Sequence, residues 1–290
     1  MRARPFWVKI LMHRNIAPVF KSVFSQSLYE KLNKYPRLGY WPQIEEPRTF
    51  NEKVMHRKVY TNKEIYSTVE DKYSARKYVK EKYSDEILPD IYYITTDPQT
   101  IPFDELPNEF VIKATHGSGE ILIVDNLSKE DNEEIRETCS EWISESGRPE
   151  TNEYWYDEIT PRIIIEERLH DDEHDIPPDY KFFVFNGVVE YIQVDFDRFS
   201  DHTRRFYDAD WNAQEFRYGD PLGPEIDEPK KLNKMTNIAE KLGEDFDFIR
   251  VDLYLLDNER IVFGELTIAP TSGSKPFYPQ KLDFELGALW

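Results

Sequence analysis

Apolar and polar residues alternate most regularly between positions 249 and 273, and the alternation predicts two β-strands around a short turn. In the first strand, Val251, Leu253 and Leu255 fall on one face. This period of two residues is typical of a strand with one covered face. The alternation resumes after the polar residues 257–260, so the two strands are predicted to form a hairpin.

The register of this hairpin decides which polar side chains face each other. If Asn258-Glu259 forms a two-residue tip, Asp252 lies opposite Glu265 and Arg250 lies opposite Thr267. Directly opposed residues have Cβ atoms only ~4.5–5.5 Å apart, and like charges at that distance are destabilising. A divalent cation would remove this penalty, because magnesium takes carboxylate oxygens. The alternative is an outer, solvated face on which two carboxylates repel each other only weakly.

Helices and strands alternate along the rest of the chain. Thr49 and Glu52 have the spacing of a capping box, which predicts a helix that runs to about Tyr60. Asn186-Gly187 predicts a tight hairpin, and Gly243 fits the C-cap of a helix. The remaining elements are predicted at 67–83 (helix), 91–94 (strand), 127–146 (helix), 163–165 (strand) and 228–243 (helix).

A glycine-rich turn joins two predicted strands between positions 110 and 124. Lys113 lies on the strand that leads into the turn, and the turn itself is His116-Gly117-Ser118-Gly119. Glycine permits close backbone approach, and successive N–H groups can form a nest for phosphate oxygens. A Walker loop or a dinucleotide fingerprint would need a helix after the turn. The lysine favours a phosphate site over the alternative, an ordinary hairpin with a glycine turn.

Two charged clusters each leave two interpretations open. The strand that ends at Glu166 and Glu167 could offer main-chain groups to an adenine edge and a carboxylate to a ribose hydroxyl, or it could simply end in solvated charge. Arg198, Arg204 and Arg205 form a basic cluster that could clamp an anionic substrate. The alternative is that these arginines only pair with the nearby aspartates Asp195, Asp197 and Asp201.

Composition narrows the classes of partner. The chain has 290 residues, 39% of them hydrophobic, which is long for one core and fits two or three lobes. Its net charge of −19 argues against nucleic acid as a general partner, because a phosphate backbone needs a basic surface. An acidic protein that binds a nucleotide must therefore build a local basic site. The single cysteine, Cys139, excludes an internal disulfide and fits a reducing compartment.

Residues 1–35 combine apolar patches with arginine and lysine, beginning with the run Phe6–Met12. The segment fits either an amphipathic helix on a membrane surface or a helix packed on the main body. Basic residues interrupt both faces, which favours the packed helix. No run in the chain approaches the ~20 apolar residues of a membrane span.

Several segments occur in an order that resembles one enzyme family. They are DKYSARKYV, FVIKATHGSG, IIIEERL, DYKFFVFNG, IRVD and GELTIAPTSG, within a match that extends from Pro47 to the end of the chain. Each segment alone is a weak signal, but their order and spacing together are specific. The chain is similar to the TupA-like branch of the ATP-grasp enzymes, which occurs in cell-surface polysaccharide loci and is named for teichuronopeptide synthesis.

The resemblance implies an α+β ATP-grasp fold, in which two α+β lobes with antiparallel sheets grip ATP. An N-terminal helical or α/β segment with its connector would occupy residues 1–60. The first lobes, with the glycine-rich loop, would occupy 61–160, and the C-terminal lobe with the metal site would occupy 161–290.

The resemblance also assigns roles to residues around the nucleotide. Lys72 and Lys113 match the two lysines that reach the ATP phosphates in the family. The turn of His116, Gly117, Ser118 and Gly119 matches the mobile loop that closes over those phosphates. Glu166 or Glu167 matches the acidic residue that holds the ribose.

Catalytic, metal and substrate roles follow in the same way. Lys181 and Arg250 match basic positions near the transferred phosphate. Asp252, Glu265 and Thr267 match the magnesium ligands, although many relatives carry asparagine at the position of Thr267. Arg198, Arg204 and Arg205 become candidates for binding an acidic substrate.

ATP-grasp enzymes typically convert a carboxylate to an acyl phosphate, which an amine then attacks to give an amide. The resemblance therefore implies ATP and Mg²⁺ as cofactors and a carboxylate–amine ligase, for example one that joins an amino acid to a uronic acid. Its partners would be an anionic sugar or polysaccharide precursor and an amino-group donor. Its location would be cytoplasmic, with peripheral association at the inner membrane face as one option. A sugar kinase and a non-catalytic carbohydrate-binding protein are the alternatives.

Overall fold

The computed structural model describes residues 6–11, 13, 16–144, 151–172, 177–196 and 201–290. Within these residues, helices pack around two antiparallel sheets, so the α+β prediction is confirmed. The helices are α1 (Phe6–Leu11), α2 (Ala17–Val23), α3 (Gln26–Leu38), α4 (Phe50–Tyr60), α5 (Glu64–Glu70), α6 (Ser74–Lys82), α7 (Asn132–Ser144), α8 (Leu232–Gly243) and α9 (Lys281–Leu289).

The strands divide between a first sheet of four strands, a second sheet of six and a small pair. The first sheet has the order β1-β4-β2-β3, the second β11-β10-β5-β6-β7-β8, and the pair is β12-β9. The strands are β1 (Ile91–Thr95), β2 (Phe110–Ala114), β3 (Ile121–Val124), β4 (Ile163–Glu166), β5 (Asp179–Phe185), β6 (Val188–Phe196), β7 (Thr203–Asp208), β8 (Ala213–Gln214), β9 (Arg217–Tyr218), β10 (Phe248–Leu256), β11 (Arg260–Thr267) and β12 (Phe277–Tyr278).

Each sheet has its own hydrophobic core. The core of the second sheet is rich in aromatic rings and surrounds Phe50 of α4, whose ring lies 4.9 Å from that of Phe248. The first sheet packs a smaller core against α7, in which Cys139 is buried. Two cores in a chain of this length are what surface-to-volume scaling favours.

This division into cores differs from the predicted segments. Strand β4 pairs with β1 and β2, so the predicted boundary at 161 falls inside the first sheet. Helices α5 and α6 belong to the core of the second sheet, although the predicted segment 61–160 assigns them to the first lobes. Tyr78 of α6 illustrates the reason, because its hydroxyl donates to the Leu242 carbonyl at the end of α8 (2.9 Å).

The predicted capping box at the start of α4 is confirmed. The Thr49 hydroxyl accepts from the Glu52 N–H (3.1 Å), and the Glu52 carboxylate accepts from the Thr49 N–H (3.1 Å). The predicted hairpin at Asn186-Gly187 is confirmed as well. Both residues have positive φ, 50° and 82°, as the two central positions of a type I′ turn require.

Gly243 does not act as a left-handed C-cap. It is the last residue of α8, and the residue after it, Glu244, keeps right-handed helical angles. A Cβ at position 243 would lie 2.6 Å from Cγ1 of Val184. The glycine is therefore needed for the close approach of α8 to β5.

The helix predicted over 67–83 is interrupted in its middle. α5 ends at Glu70 and α6 begins at Ser74, with extended backbone at Asp71. The Asp71 carboxylate accepts hydrogen bonds from the Tyr73 N–H (3.1 Å) and the Ser74 hydroxyl (2.6 Å). An aspartate side chain that bonds to a backbone N–H two residues later competes with helix continuation, which explains the break.

The tip of the β10–β11 hairpin also differs from the prediction. Three residues, Asp257–Glu259, join the strands, because Leu256 pairs with Arg260. The register then shifts between Asp252 and Leu253, where β11 carries one extra residue. The two irregularities cancel, so the predicted pairs are confirmed: Asp252 faces Glu265 and Arg250 faces Thr267.

Candidate active site

A cavity of about 330 Å³ lies where α5, α6 and the glycine-rich turn meet strands β10 and β11. This volume is in the range of small-molecule sites. Charged side chains from several elements converge on it, including Glu70, Lys72, Arg250 and Glu265. The other lining residues are Val69, Ala75, Gly117, Ser118, Thr151, Glu153, Trp155, Tyr156, Phe263, Gly264, Leu266, Thr267, Ala269, Thr271 and Ser272.

Lys72 reaches the cavity because the chain breaks between α5 and α6. Its N–H donates to the Thr115 carbonyl (3.2 Å), and its ammonium donates to the Gly117 carbonyl in the glycine-rich turn. Burial and the nearby Lys113 lower the pKa of Lys72, while Glu265 acts in the opposite direction. The helix break therefore places a cation next to the turn predicted to hold phosphate.

Arg250 lies between the two carboxylates of the predicted metal site. Its Nε lies 2.6 Å from Oδ1 of Asp252, and one Nη lies 2.6 Å from Oε1 of Glu265. The like-charge penalty across the strands is thus relieved by a guanidinium of the protein itself, and a bound metal is not needed to explain it. Burial alone would lower the pKa of Arg250, but Asp252 and Glu265 raise it above its ordinary value.

Lys181 completes this charged group from the neighbouring strand β5. Its Nζ lies 2.6 Å from Oδ2 of Asp252 and also contacts the Asp179 carboxylate. Burial opposes ionisation of Asp252, yet Arg250 and Lys181 hold its pKa below the ordinary value. Lys181 is itself buried behind the cavity and does not line it.

The donor set fits magnesium with ligands supplied by a nucleotide. Magnesium is usually held by one or two carboxylates together with phosphate oxygens and water. The Glu265 side chain is 43% exposed and accepts from the Thr267 hydroxyl (3.3 Å), whereas Asp252 is enclosed by two cations. Among the described residues, no group of three or more His, Cys, Asp or Glu side chains is arranged so that it could hold a metal ion by itself. Of the predicted three ligands, Glu265 and Thr267 line the cavity, and Glu265 is the accessible carboxylate.

Part of the glycine-rich turn lines the cavity, and its histidine packs against the core of the first sheet. Gly117 and Ser118 line the cavity, and Gly119 has a φ of 103°, which suits glycine. His116 is buried against α7, where its Nε2 lies 2.9 Å from the Trp142 carbonyl. The structure thus gives the His116 side chain a place in the first core.

The other predicted nucleotide residues form ion pairs across the first sheet and beyond it. Lys113 of β2 pairs with Glu166 of β4. Glu167 pairs through both oxygens with Arg260, and its N–H donates to the Asp90 carbonyl (2.9 Å). The Arg260 pair lowers the pKa of Glu167 despite partial burial. None of these residues lines the cavity.

The basic cluster does not form one clamp. Arg204 and Arg205 are adjacent on β7 and bind different groups. The Arg204 Nε lies 3.1 Å from Oδ1 of Asp195, and its Nη2 lies 2.8 Å from Oδ2 of Asp220. Arg205 instead donates twice to the Gly223 carbonyl (3.0 and 2.8 Å). Pairing with Asp195 is therefore what the structure shows for Arg204, and Arg198 lies outside the described residues.

Comparison with models of protein families identifies the family of this chain. A model described as TupA-like ATPgrasp matches residues 52–290. This chain belongs to the TupA-like ATP-grasp family. The match covers both sheets and every residue that lines the cavity. A comparison with curated proteins gave no match.

Solved structures of other ATP-grasp proteins resemble the chain distantly. D-alanine–D-alanine ligase from Bacillus anthracis complexed with ATP has 16% identity and a TM-score of 0.42, covering 70% of this chain and 54% of that one. N5-carboxyaminoimidazole synthase from Aspergillus clavatus, in complex with ADP and 5-aminoimidazole ribonucleotide, has 10% identity and a TM-score of 0.40, covering 74% and 45%. The TupA-like chain thus spans about half the length of these proteins.

Sequence patterns missed part of this ATP-grasp cavity. Glu70 is the main omission, since it lies inside the helix predicted over 67–83, where nothing in the pattern marks it as a functional carboxylate. It accepts from the Ile268 N–H (2.8 Å) and the Tyr156 hydroxyl (2.7 Å). Burial raises the pKa of Glu70 to about 7, although both hydrogen bonds act to lower it. The aromatic run at 154–156 was a usable signal, because Trp155 and Tyr156 line the same wall.

Proposed function

We propose that this chain is an ATP- and magnesium-dependent carboxylate–amine ligase that acts in cell-surface polysaccharide biosynthesis. The convergence of Lys72, Arg250 and Glu265 on one cavity carries the proposal. Two cations beside a partly exposed carboxylate suit a triphosphate with its metal, because charge neutralisation and positioning dominate phosphoryl transfer. Family membership supplies the fold that holds ATP.

The first step would activate a carboxylate. A carboxylate oxygen of the sugar acid attacks the γ-phosphorus of ATP, and the bond from that phosphorus to the ADP oxygen breaks. Arg250 and Lys72 would bind the transferred phosphoryl group and neutralise its developing charge. Magnesium, held by Glu265 with Thr267 and Asp252 next to it, would supply further positive charge at the phosphates.

The second step would form the amide. The amine nitrogen attacks the acyl carbon, phosphate leaves with the carbon–oxygen electron pair, and the nitrogen loses a proton. Glu70 is a carboxylate in the cavity wall whose pKa of about 7 suits a group that takes up that proton near neutral pH. No protein nucleophile is needed, so Cys139, buried in the first core, has no part in the reaction.

The acceptor and donor are inferred from family naming and from charge. A uronic acid would supply the carboxylate and an amino acid would supply the amine. The uronic acid is anionic and the amino acid carries a carboxylate, so the acidic chain must receive these groups at its local cations. Arg250 is the cavity cation closest in the chain to the predicted metal ligands.

The test is release of ADP and phosphate with ATP, Mg²⁺, a uronic acid and an amino acid, followed by mass analysis of the product. An amide is expected. Glu265→Gln should reduce ADP release by at least about 100-fold, since a group that acts on the reacting phosphate is lost. Glu259→Gln is the matched control, because Glu259 lies on the same hairpin with its side chain 73% exposed.

Other outcomes would contradict the proposal. A phosphorylated sugar without amide would identify a kinase. If Glu265→Gln and the control release ADP equally, the metal assignment fails. If ATP with Mg²⁺ does not raise the unfolding temperature, nucleotide binding itself fails, because a ligand that binds only the folded state must stabilise it.

A further inference from the structure

Helices α1 and α2 present an apolar face to solvent. Phe6, Val19 and Val23 are 78%, 63% and 69% exposed, which is unusual for large apolar side chains. Trp7 and Ile10 extend this surface on α1. The full set, here called the N-terminal apolar face, is Phe6, Trp7, Ile10, Ile16, Val19, Val23 and Phe24.

The exposure has a consistent geometry. Ile16, Val19 and Val23 follow the i, i+3, i+7 spacing of one helix face, whereas Val8 and Ala17 are fully buried. Both helices contact α3. Each helix is therefore docked on the protein by one side, and the described residues leave its other apolar side uncovered.

Charge is segregated in the same segment. Residues 1–29 contain five basic residues and no acidic residue, whereas the whole chain carries −19, so the remaining 261 residues carry −24. Lys9 is exposed within the N-terminal apolar face. An apolar surface with basic residues, on an otherwise acidic molecule, is complementary to a surface that is both apolar and anionic.

We propose that the N-terminal apolar face docks on the surface of an anionic lipid bilayer. Its aromatic and branched side chains would enter the boundary between headgroups and acyl chains, while the basic residues meet anionic headgroups. No helix of the described residues is long and apolar enough to cross a membrane. The acidic remainder of the chain would be repelled by the same bilayer, which fixes the orientation of the protein.

The experiment is co-sedimentation of the full chain with phosphatidylcholine vesicles that do or do not contain phosphatidylglycerol. Binding is expected only with phosphatidylglycerol and should weaken as salt rises. Phe6→Ser/Val19→Ser/Val23→Ser should lower the partition coefficient by at least about ten-fold, because apolar area no longer leaves water. Lys9→Glu should lower it by about ten-fold through charge.

A matched control distinguishes binding through this face from non-specific binding by exposed apolar side chains elsewhere. Tyr92→Ser/Val188→Ser/Phe284→Ser removes three exposed apolar side chains elsewhere and should leave vesicle binding unchanged. Quenching by brominated lipid acyl chains should fall in Trp7→Phe, since Trp7 would be the tryptophan at the bilayer. Circular dichroism confirms that each variant is folded.

Three outcomes would overturn the proposal. One is absence of binding to the anionic vesicles at low salt. Another is equal loss of binding in the control and test triples. The third is a concentration-dependent dimer without lipid that Phe6→Ser/Val19→Ser/Val23→Ser abolishes, because the face would then be covered by a second copy. The vesicle experiment does not measure nucleotide turnover. A negative result would therefore refute membrane docking without bearing on the proposed ligase activity.

Discussion

Asp252 shows how a buried carboxylate can be kept charged. It is 1% exposed, and isolated burial would strongly favour its neutral form. Arg250 contacts both of its oxygens, and Lys181 contacts the second. The fork of a guanidinium suits this bridging task, which a lysine at position 250 could not perform in the same way.

Lys181→Met is expected to destabilise the folded chain by about 3–5 kcal/mol, because it leaves Asp179 and part of Asp252 buried without their cation. Lys231→Met is the control, since Lys231 pairs with an exposed glutamate on the surface and its loss should change little. Urea denaturation followed by circular dichroism measures both. Equal stability of the two variants would show that Arg250 alone satisfies the buried carboxylates.

Glu70 should give stability a pH dependence of its own. Its folded pKa of about 7 lies above the ordinary value of 4.5, so the folded chain holds a proton there that the unfolded chain has lost. The contribution of Glu70 is therefore complete below pH 4.5 and is lost as the pH rises through about 7. The difference between the folded and the ordinary pKa of Glu70 corresponds to roughly 3 kcal/mol of folding free energy.

Glu70→Gln should remove that decline, so the variant gains stability relative to the native chain between pH 5 and pH 8, as approximate limits of the window. The measurement is the free energy of unfolding without nucleotide at several pH values. Glu259→Gln should follow the native profile, because Lys231 lowers the pKa of Glu259 below this window. Parallel profiles for all three proteins would refute the raised pKa of Glu70.

At the level of elements, the sequence predicted correctly those features that depend only on neighbouring residues. The capping box at Thr49 and the hairpin at Asn186-Gly187 each depend on a few adjacent residues, and both were correct. The β10–β11 register was correct for a different reason, because a longer turn and an extra residue in β11 cancel. Alternation alone cannot detect such a pair of irregularities, since each moves the pairing by one residue.

The break between α5 and α6 escaped prediction because it depends on tertiary contacts. The Asp71 carboxylate serves Tyr73, Ser74 and also Arg162 (3.2 Å), which comes from the segment before β4. The burial of Arg204 likewise depends on Asp220, a residue distant from the sequence cluster. Long-range partners of this kind leave no periodic signal in the chain.

Asp71→Ala should cost about 1–2 kcal/mol of folding free energy, because it removes the acceptor for the Tyr73 N–H, the Ser74 hydroxyl and Arg162. It should also weaken ATP binding, because these hydrogen bonds fix the backbone that carries Lys72. Asp71→Asn keeps the hydrogen-bond acceptor and should retain most of the stability. Urea midpoints and the ATP-induced rise in unfolding temperature check both effects. If Asp71→Ala binds ATP as the native chain does, the break does not position Lys72.

At the scale of the whole molecule, the cavity collects positive side chains on a protein whose net charge is strongly negative. Both cavity cations, at the α5–α6 break and on β10, belong to the core of the second sheet, whereas Gly117 and Ser118 between strands of the first sheet line the cavity from the other side. These cations stand out because the chain as a whole has a net charge of −19. The sequence could predict that a local basic site was needed, but the fold alone shows which lysines and arginines face the cavity.

The net charge of −19 predicts that salt stabilises the folded chain. Charges of one sign repel each other more in the compact state, and salt screens exposed charges over ~10 Å at ~0.1 M. Pairs such as Lys181–Asp252 are buried and should be affected less. Raising sodium chloride should therefore increase the unfolding temperature while it weakens binding to anionic vesicles. A fall in unfolding temperature with salt would mean that surface ion pairs outweigh the overall repulsion.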